Sequence, residues 1–356
     1  MAARRKLLGF GKIYLKTIIR EIKRSFGRFV AIFGIVALGV GFLAGLLATT
    51  PDMKASVGTY YEDTNMSDIF IKATMGLTDA DIAAVASLEE VQQVMPASVT
   101  DALVQVNGGE LLVTRIYGVP LDRLRTELSN TEPLNTDNVQ PFLNKIELIE
   151  GRLPESPNEC VIQQSGGYIV PLEPGTALTI SPDNRDYDTF ADIYSVMEYT
   201  VTGIVKSPLY FSNEREPSFI GNGRLAAVMY VPSEAYALEA YTDLNVLLKG
   251  SSSVGAFSSG ERSAGAFSAD YDNLVSEAVK LLEPLGEERS QLRYDEIVSE
   301  AESLINEGET EYNTAKADAE KELAAARAKL NDGRQEIIDG ETRLSNAEIQ
   351  LEEGRE

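Results

Sequence analysis

The chain contains no histidine, no tryptophan and a single cysteine, Cys160. Without histidine, imidazole acid–base catalysis, histidine metal ligation and a histidine-based triad are excluded from this chain. One cysteine cannot form an intrachain disulfide, so the stability must come from packing, and Cys160 is predicted to be a small buried hydrophobe in a short strand. No pair of carboxylates stands out as catalytic. We therefore predict a non-catalytic protein with no cofactor and no metal site.

Charged residues are also absent from residues 29–51, a run of 23 residues. A bilayer core about 30 Å thick needs roughly 20 apolar residues in a helix, so this run predicts a transmembrane helix. The 28 residues before it contain nine Lys or Arg and one acid, Glu21. Because basic residues resist translocation, the N-terminus is predicted to be cytoplasmic and the bulk of the chain extracytoplasmic. A cleaved signal peptide fits less well, because its apolar core runs about 7–15 residues after a short basic segment.

Two patterns around this run predict contacts with lipid and with another helix. Residues 1–28 combine an apolar face with a basic face, the pattern of an amphipathic elbow helix in the membrane interface. Within the run, Ala37, Gly41 and Gly45 recur every fourth residue, and Gly41 with Gly45 forms the GxxxG spacing that lets helices approach closely. The frequency of glycine in membrane helices is the alternative explanation of this stripe.

Residues 52–249 predict a mixed α/β extracytoplasmic domain, giving an α+β membrane-anchored protein as the fold class. A helix is predicted after Thr78, which can cap it while Asp79 and Asp81 lie in its positive first turn. Asn107-Gly108-Gly109 and Gly221-Asn222-Gly223 predict hairpin turns. The acidic stretch from Asp183 to Asp192 lacks the spacing of a calcium loop and is predicted to be solvated. Strands rich in β-branched and aromatic residues are predicted at 68–73, 98–106, 111–119, 160–163, 177–181, 199–206, 225–231 and 244–248.

A Ser/Gly-rich linker is predicted at 250–270, followed by a helical coiled-coil arm at 271–356 that would reach about 85 Å from residue 300. Small or apolar residues recur along the arm in steps of three and four, which indicates a seam for a partner helix, and from Leu323 onward Leu or Ile alternates with Ala or Gly. The chain ends in mid-heptad, so we expect either an antiparallel return helix further along a longer protein or self-association. The clearest seam positions are Leu323, Leu330, Gly333, Ile337, Gly340, Leu344, Ala347 and Leu351.

Several segments together resemble the FtsX-like, or MacB-type, permeases of ABC transporters, in the Gram-positive variant with a long extracytoplasmic coiled coil. The resemblance covers nearly the whole chain, and its most specific part is Gly151-Arg152-Leu153-Pro154 followed by Glu159 in Asn158-Glu-Cys-Val-Ile. The other segments are Ser25-Phe-Gly-Arg-Phe-Val-Ala-Ile, Ser67-Asp-Ile-Phe-Ile, Gly76-Leu-Thr-Asp-Ala-Asp, Thr202-Gly-Ile-Val-Lys-Ser-Pro-Leu-Tyr, Ile220-Gly-Asn-Gly and Val228-Met-Tyr-Val-Pro.

The resemblance implies a permease subunit whose outer domain moves when a separate cytoplasmic ATPase hydrolyses ATP. The implied partners are membrane lipid, that ATPase, a second permease copy or homologue, and a cell-wall hydrolase or extracytoplasmic substrate. No nucleic-acid partner is expected of a chain with net charge −23. The later spans of such permeases are missing here. The alternative function is a membrane-anchored extracytoplasmic adaptor or scaffold that has a coiled coil and no ATPase.

Overall fold

The computed structural model describes residues 14–129, 140–164, 172–184, 192–210, 216–251 and 268–355. Most of the predicted linker at 250–270 lies outside the described residues, as do the first 13 residues of the predicted elbow helix and Asp186 and Asp188 of the acidic stretch. The chain consists of two compact units, Met1–Leu285 and Gly286–Glu356.

The first unit begins with two helices, α1 at residues 14–24 and α2 at Phe26–Asp63. Helix α2 is long and apolar enough to cross a membrane, and no residue of its most apolar stretch is buried within the structure. The helix does not end with the uncharged run at Pro51 but continues to Asp63. The limits of the uncharged run therefore differ from those of the helix. A proline removes one backbone donor, and here it does not terminate the helix.

Among the described residues, the first unit also contains nine strands, two short α-helices, two single-turn 3-10 helices and the start of one long helix, which continues as the second unit. The strands are β1 Ile69–Leu77, β2 Val91–Val106, β3 Leu111–Val119, β4 Glu147–Gly151, β5 Glu159–Gln163, β6 Ala177–Ile180, β7 Glu198–Lys206, β8 Ala227–Pro232 and β9 Tyr241–Leu248. The short helices are α3 Asp79–Ala86 and α4 Leu121–Ser129, and the long C-terminal helix is α5 Ala269–Glu353.

Six of the strands pair in a closed circuit, β2–β3–β8–β5–β7–β6 and back to β2, with β3–β8 and β5–β7 parallel. Each of the six contributes alternate residues to one buried cluster, so this cluster fills the interior of a small barrel. Cys160 lies in it with no exposed surface, and burial raises the pKa of its thiol. The prediction that Cys160 is a buried structural residue is confirmed.

Strands β1 and β9 extend the sheet from the first half of β2. One face of β9, with Leu244 and Val246, packs against α3 and the first turns of α5 in a second cluster that includes Ala278 and Leu282. The opposite face of β9 borders a third cluster, which lies between the barrel exterior, helix α4 and the segment before β4.

The structure confirms the mixed α+β character, the predicted strand positions and the hairpin at Asn107. Thr78 caps α3 and exchanges hydrogen bonds with Asp81 in a capping box. The pattern missed β4 and α4, and it did not reveal that β2 begins at Val91. The arm predicted at 271–356 is one uninterrupted helix over Ala269–Glu353, which includes Pro284.

Candidate functional site

The end of α2 is fixed by a complete backbone cap. Asn65 takes the left-handed conformation, with φ 47°. The Asn65 N–H donates to the Glu62 carbonyl over 3.0 Å, and the Met66 N–H donates to the Tyr61 carbonyl over 2.9 Å. This pair of bonds is the Schellman arrangement, which satisfies helix carbonyls that otherwise lack a partner. Asparagine tolerates positive φ better than most residues, so its position after the helix defines where α2 ends.

The capped end is bound to the segment that precedes β4. The Lys145 N–H donates to the Thr64 carbonyl over 2.7 Å, and the Asn144 N–H donates to the Asn65 carbonyl over 3.0 Å. The Asn65 side-chain amide donates to the Phe142 carbonyl over 3.2 Å. Three hydrogen bonds thus hold two turns of chain against each other, and none depends on a charged side chain.

Asn144 carries this connection into the sheet. Its Oδ1 accepts from the Ser67 N–H over 3.0 Å and from the Ser67 hydroxyl over 3.1 Å. Its Nδ2 donates to Oδ1 of Asn245 in β9 over 3.0 Å, and Asn245 Nδ2 donates to the Met95 carbonyl in β2 over 3.0 Å. Asn144, Asn245 and Ser67 are all buried. We call residues Asn65, Ser67, Asn144 and Asn245 the asparagine joint.

The asparagine joint was not predicted from the sequence. Each asparagine pairs with residues far away along the chain, so no local spacing identifies it. The available signal was Asn65 itself, because asparagine directly after a helical pattern is a common helix-ending residue. The buried amide network satisfies each polar group, which makes the connection specific as well as stable.

The Gly-Arg-Leu-Pro segment lies at a corner where β4 ends against β7. Gly151 has φ +81°, and an added Cβ would overlap the Thr202 carbonyl oxygen and lie 2.7 Å from the Gly203 Cα. The Arg152 N–H donates to the Thr202 carbonyl over 3.0 Å, and the Thr202 hydroxyl donates to the Arg152 carbonyl over 3.0 Å. Only glycine combines this backbone angle with so close an approach of two chains.

The side chains of the same segment fasten the corner to the barrel. Arg152 forms a two-pronged ion pair with Glu159 at the start of β5, and the pair holds the pKa of Glu159 below its usual range. Leu153 is buried in the cluster beside α4. The carbonyl of Pro154 accepts a hydrogen bond from Arg125 of α4 over 2.9 Å. The structure therefore brings all five predicted motif residues into one corner.

The predicted packing stripes lie on exposed helix surfaces. Nothing lies within 4 Å of a Cβ added at Gly41, Gly45, Gly333 or Gly340. Ala37 and Ala347 are exposed. The large seam residues are 54–72% exposed, and they are Leu323, Leu330, Ile337, Leu344 and Leu351. Helix α5 is confirmed, and pairing along its seam stays a prediction.

No metal cluster of three or more carboxylate or thiol residues occurs in the part of the chain that the structure describes. Asp183 instead belongs to a local turn, in which its N–H donates to the Ser181 hydroxyl over 3.1 Å. Two hydrogen-bonded features connect distant parts of the described structure: the asparagine joint and the Gly-Arg-Leu-Pro segment between β4 and β7.

A scan against models of protein families finds no match, and neither does a search of curated proteins. Several solved structures are similar to the chain. The extracellular domain of the noncanonic ABC-type transporter YknZ from Gram-positive bacteria is 13% identical with a TM-score of 0.28, and the match covers 50% of this chain and 75% of that one. The periplasmic region of MacB from Actinobacillus actinomycetemcomitans is 11% identical with a TM-score of 0.28, covering 60% and 75%.

A domain of a Porphyromonas gingivalis protein described as a permease is 12% identical with a TM-score of 0.25, and the match covers 50% of this chain and 69% of that one. The three descriptions name an ABC-type transporter, MacB and a permease.

Proposed function

We propose that this chain is the N-terminal part of an ABC transporter permease subunit, and that it couples ATP hydrolysis by a cytoplasmic partner to movement of its outer domain. The observation that supports this is the asparagine joint. Helix α2 runs without a break from its apolar stretch to Asp63, and its capped end is hydrogen-bonded to the sheet. A helix held in this way acts as a lever, because it cannot shift without moving the sheet.

The proposal requires residues 1–28 in the cytoplasm and residue 52 onward outside the cell. An impermeant thiol reagent applied to intact cells should label a cysteine introduced at Lys54 and leave one introduced at Lys12 unlabelled. Cys160 needs no replacement, because it is fully buried and its thiol pKa is raised. Labelling at residue 12 without labelling at residue 54 would mean the opposite orientation and would remove the proposal.

A flexible insertion in α2 distinguishes a lever from a tether. Three glycines inserted between Ala55 and Ser56, in the exposed part of α2 beyond Pro51, would break the continuity of the helix. In proteoliposomes that contain the full transporter and its ATPase, we expect the insertion to abolish the ATP-dependent change in labelling rate of a cysteine at Glu110. The same insertion in the exposed turn after Asn107 should leave the change intact.

An adaptor that is merely anchored would tolerate the insertion in α2, because a tether needs no rigidity. An ATP-dependent response that survives in the α2 variant would therefore contradict transmission through a rigid helix, provided that the variant still inserts in the membrane. The absence of any ATP-dependent response in the parent protein would remove the permease proposal altogether.

Two exposed surfaces receive partners in this proposal. The stripe of Ala37, Gly41 and Gly45 would pack against a helix of a second permease copy or homologue, since small residues allow close backbone contact. Disulfide cross-linking of two copies through a cysteine at Ala37 tests the contact with a second copy, and no cross-link at this position would contradict pairing between copies of this chain. The remaining partners implied by the resemblance, a cell-wall hydrolase or an extracytoplasmic substrate, would meet the outer domain.

The seam of α5 would receive an antiparallel helix. A lone helix with glycine at Gly333 and Gly340 loses about 1 kcal/mol of propensity at each. We expect a peptide of residues 300–356 to be weakly helical at low concentration by circular dichroism and to gain helicity when a partner helix binds. Leu344→Asp should abolish that gain, whereas Ser345→Asp, one residue off the seam, should preserve it. A peptide that is fully helical and monomeric at every concentration would contradict the prediction.

A further inference from the structure

Asp68, between the asparagine joint and β1, contacts two other parts of the chain. Its N–H donates to the Val246 carbonyl in β9 over 2.8 Å. Its carboxylate Oδ2 accepts from the Leu248 N–H, at the end of β9, over 2.8 Å. The other oxygen, Oδ1, accepts from the Tyr271 hydroxyl in the first turn of α5 over 2.8 Å. One carboxylate therefore links the chain leaving α2 to the sheet and to the start of α5.

The first turn of α5 has its own local support. The Ser268 hydroxyl caps the helix by accepting from the Tyr271 N–H over 3.1 Å. Asp270 and Asp272 lie in the first turn, where negative charge is favourable. Further along, Ala278 and Leu282 are buried against β9. The apolar contacts hold α5 against the sheet without fixing its position along it, because they have no directional requirement. A hydrogen bond does fix such a position.

Burial strengthens the case that this bond is a defined contact. Removal from water raises the pKa of Asp68, against the effect of the donors from Leu248, Ser251 and Tyr271. The pKa of the Tyr271 hydroxyl is also raised, first by burial and then by the neighbouring Asp68 carboxylate. A phenol that donates to a partly desolvated carboxylate forms a charge-assisted bond, which is stronger than a bond between neutral groups.

We infer that Asp68 is a positioning residue that passes displacement of the end of α2 to the first turns of α5 through the Tyr271 hydroxyl. The inference rests on the proposed function for its biological meaning, but the coupling itself is a property of the chain. The asparagine joint holds α2 to the sheet, and the Asp68–Tyr271 bond passes the same movement to the start of α5.

Hydrogen exchange of the full chain in lipid nanodiscs tests the coupling. Tyr271→Phe should raise the exchange rates of amides 272–278 at least fivefold, about 1 kcal/mol, because it removes one charge-assisted bond. Asp68→Asn should also raise the exchange rates of amides 272–278. Tyr294→Phe, which removes an exposed hydroxyl from the same helix, serves as the matched control and should change nothing at 272–278.

The decisive measurement perturbs α2 and reads α5. Asn65→Gly keeps the left-handed backbone and removes only the side-chain bond to Phe142. It should accelerate exchange at 272–278 at least twofold in the parent chain and have no further effect in the Tyr271→Phe background. If Tyr271 only supports the start of α5 locally, Asn65→Gly and Tyr271→Phe will raise the exchange rates independently, and their fold-changes will multiply in the double variant. That outcome would overturn the inference. So would unchanged exchange in both Tyr271→Phe and Asp68→Asn.

This experiment contains no ATPase, so its failure is distinguishable from failure of the proposed function. If the fold-changes of Asn65→Gly and Tyr271→Phe multiply but the glycine insertion in α2 abolishes the ATP-dependent response, only the Asp68 coupling is wrong. If Asn65→Gly has no further effect in the Tyr271→Phe background but the transporter shows no ATP-dependent response, the coupling stands and the permease role is wrong.

Discussion

Gly151→Ala is expected to lower the free energy of unfolding by about 3–4 kcal/mol. The new Cβ would meet backbone on the facing strand, at the Thr202 carbonyl and the Gly203 Cα, and backbone cannot rotate aside as a side chain can. The residue also has a positive φ, which costs an alanine about 1 kcal/mol or more. Denaturant unfolding in detergent micelles, followed by the near-ultraviolet circular dichroism of the tyrosines, measures the loss.

Gly108→Ala separates the steric contribution from the backbone contribution. Gly108 has φ +70°, close to that of Gly151, but nothing lies within 4 Å of its added Cβ. Its substitution should therefore cost only the backbone preference, about 1 kcal/mol. Equal losses of unfolding free energy in Gly151→Ala and Gly108→Ala would contradict the close approach of β4 and β7 at Gly151.

Two segments that carry the family resemblance turn out to be two sides of this corner. Gly151 and Gly203 are register partners in the β4–β7 ladder. An alanine at Gly203 would place its Cβ 2.7 Å from the Glu150 and Arg152 carbonyl oxygens. Glycine is therefore required on both strands, because each backbone occupies the space that a Cβ on the other would need. This geometry gives a structural reason for the Gly-Arg-Leu-Pro and Thr-Gly-Ile-Val segments.

Features determined by neighbouring residues could be predicted from the sequence. The capping box of α3 depends on Thr78 and Asp81, three residues apart, and the β2–β3 hairpin depends on its Asn-Gly turn. Strand positions followed from runs of β-branched residues. The long C-terminal helix followed from its periodicity.

Features determined by distant pairing could not be predicted in this way. Closure of the barrel depends on β6, a strand of four residues, pairing with both β2 and β7. Strand β4 has exposed residues at most positions and only five residues, so it lacks an alternating apolar pattern. The asparagine joint is a third example, because Asn144 and Asn245 are 101 residues apart.

Asn144→Gly is expected to destabilise the protein by roughly 3 kcal/mol, the second large effect. Glycine preserves the backbone, which has φ 53° at this position, and removes only the side-chain amide. The loss leaves the Ser67 N–H and the Asn245 Oδ1 without these partners in a buried site, and each buried unsatisfied group costs about 1–3 kcal/mol. Chemical unfolding under the conditions used for Gly151→Ala gives the value.

Asn107→Gly is the matched control for Asn144→Gly, because Asn107 has nearly the same backbone, with φ 48°, and its Oδ1 accepts one exposed hydrogen bond from the Ala177 N–H over 3.0 Å. Water can replace that bond, so the control should lose less than about 1 kcal/mol.

A lever held by the asparagine joint should also fail when the joint is loosened. Asn144→Gly should therefore reduce the ATP-dependent labelling change at Glu110 while the membrane orientation of Lys54 stays the same. An Asn144→Gly protein that is as stable and as responsive as the Asn107→Gly control would show that the end of α2 is held by other contacts.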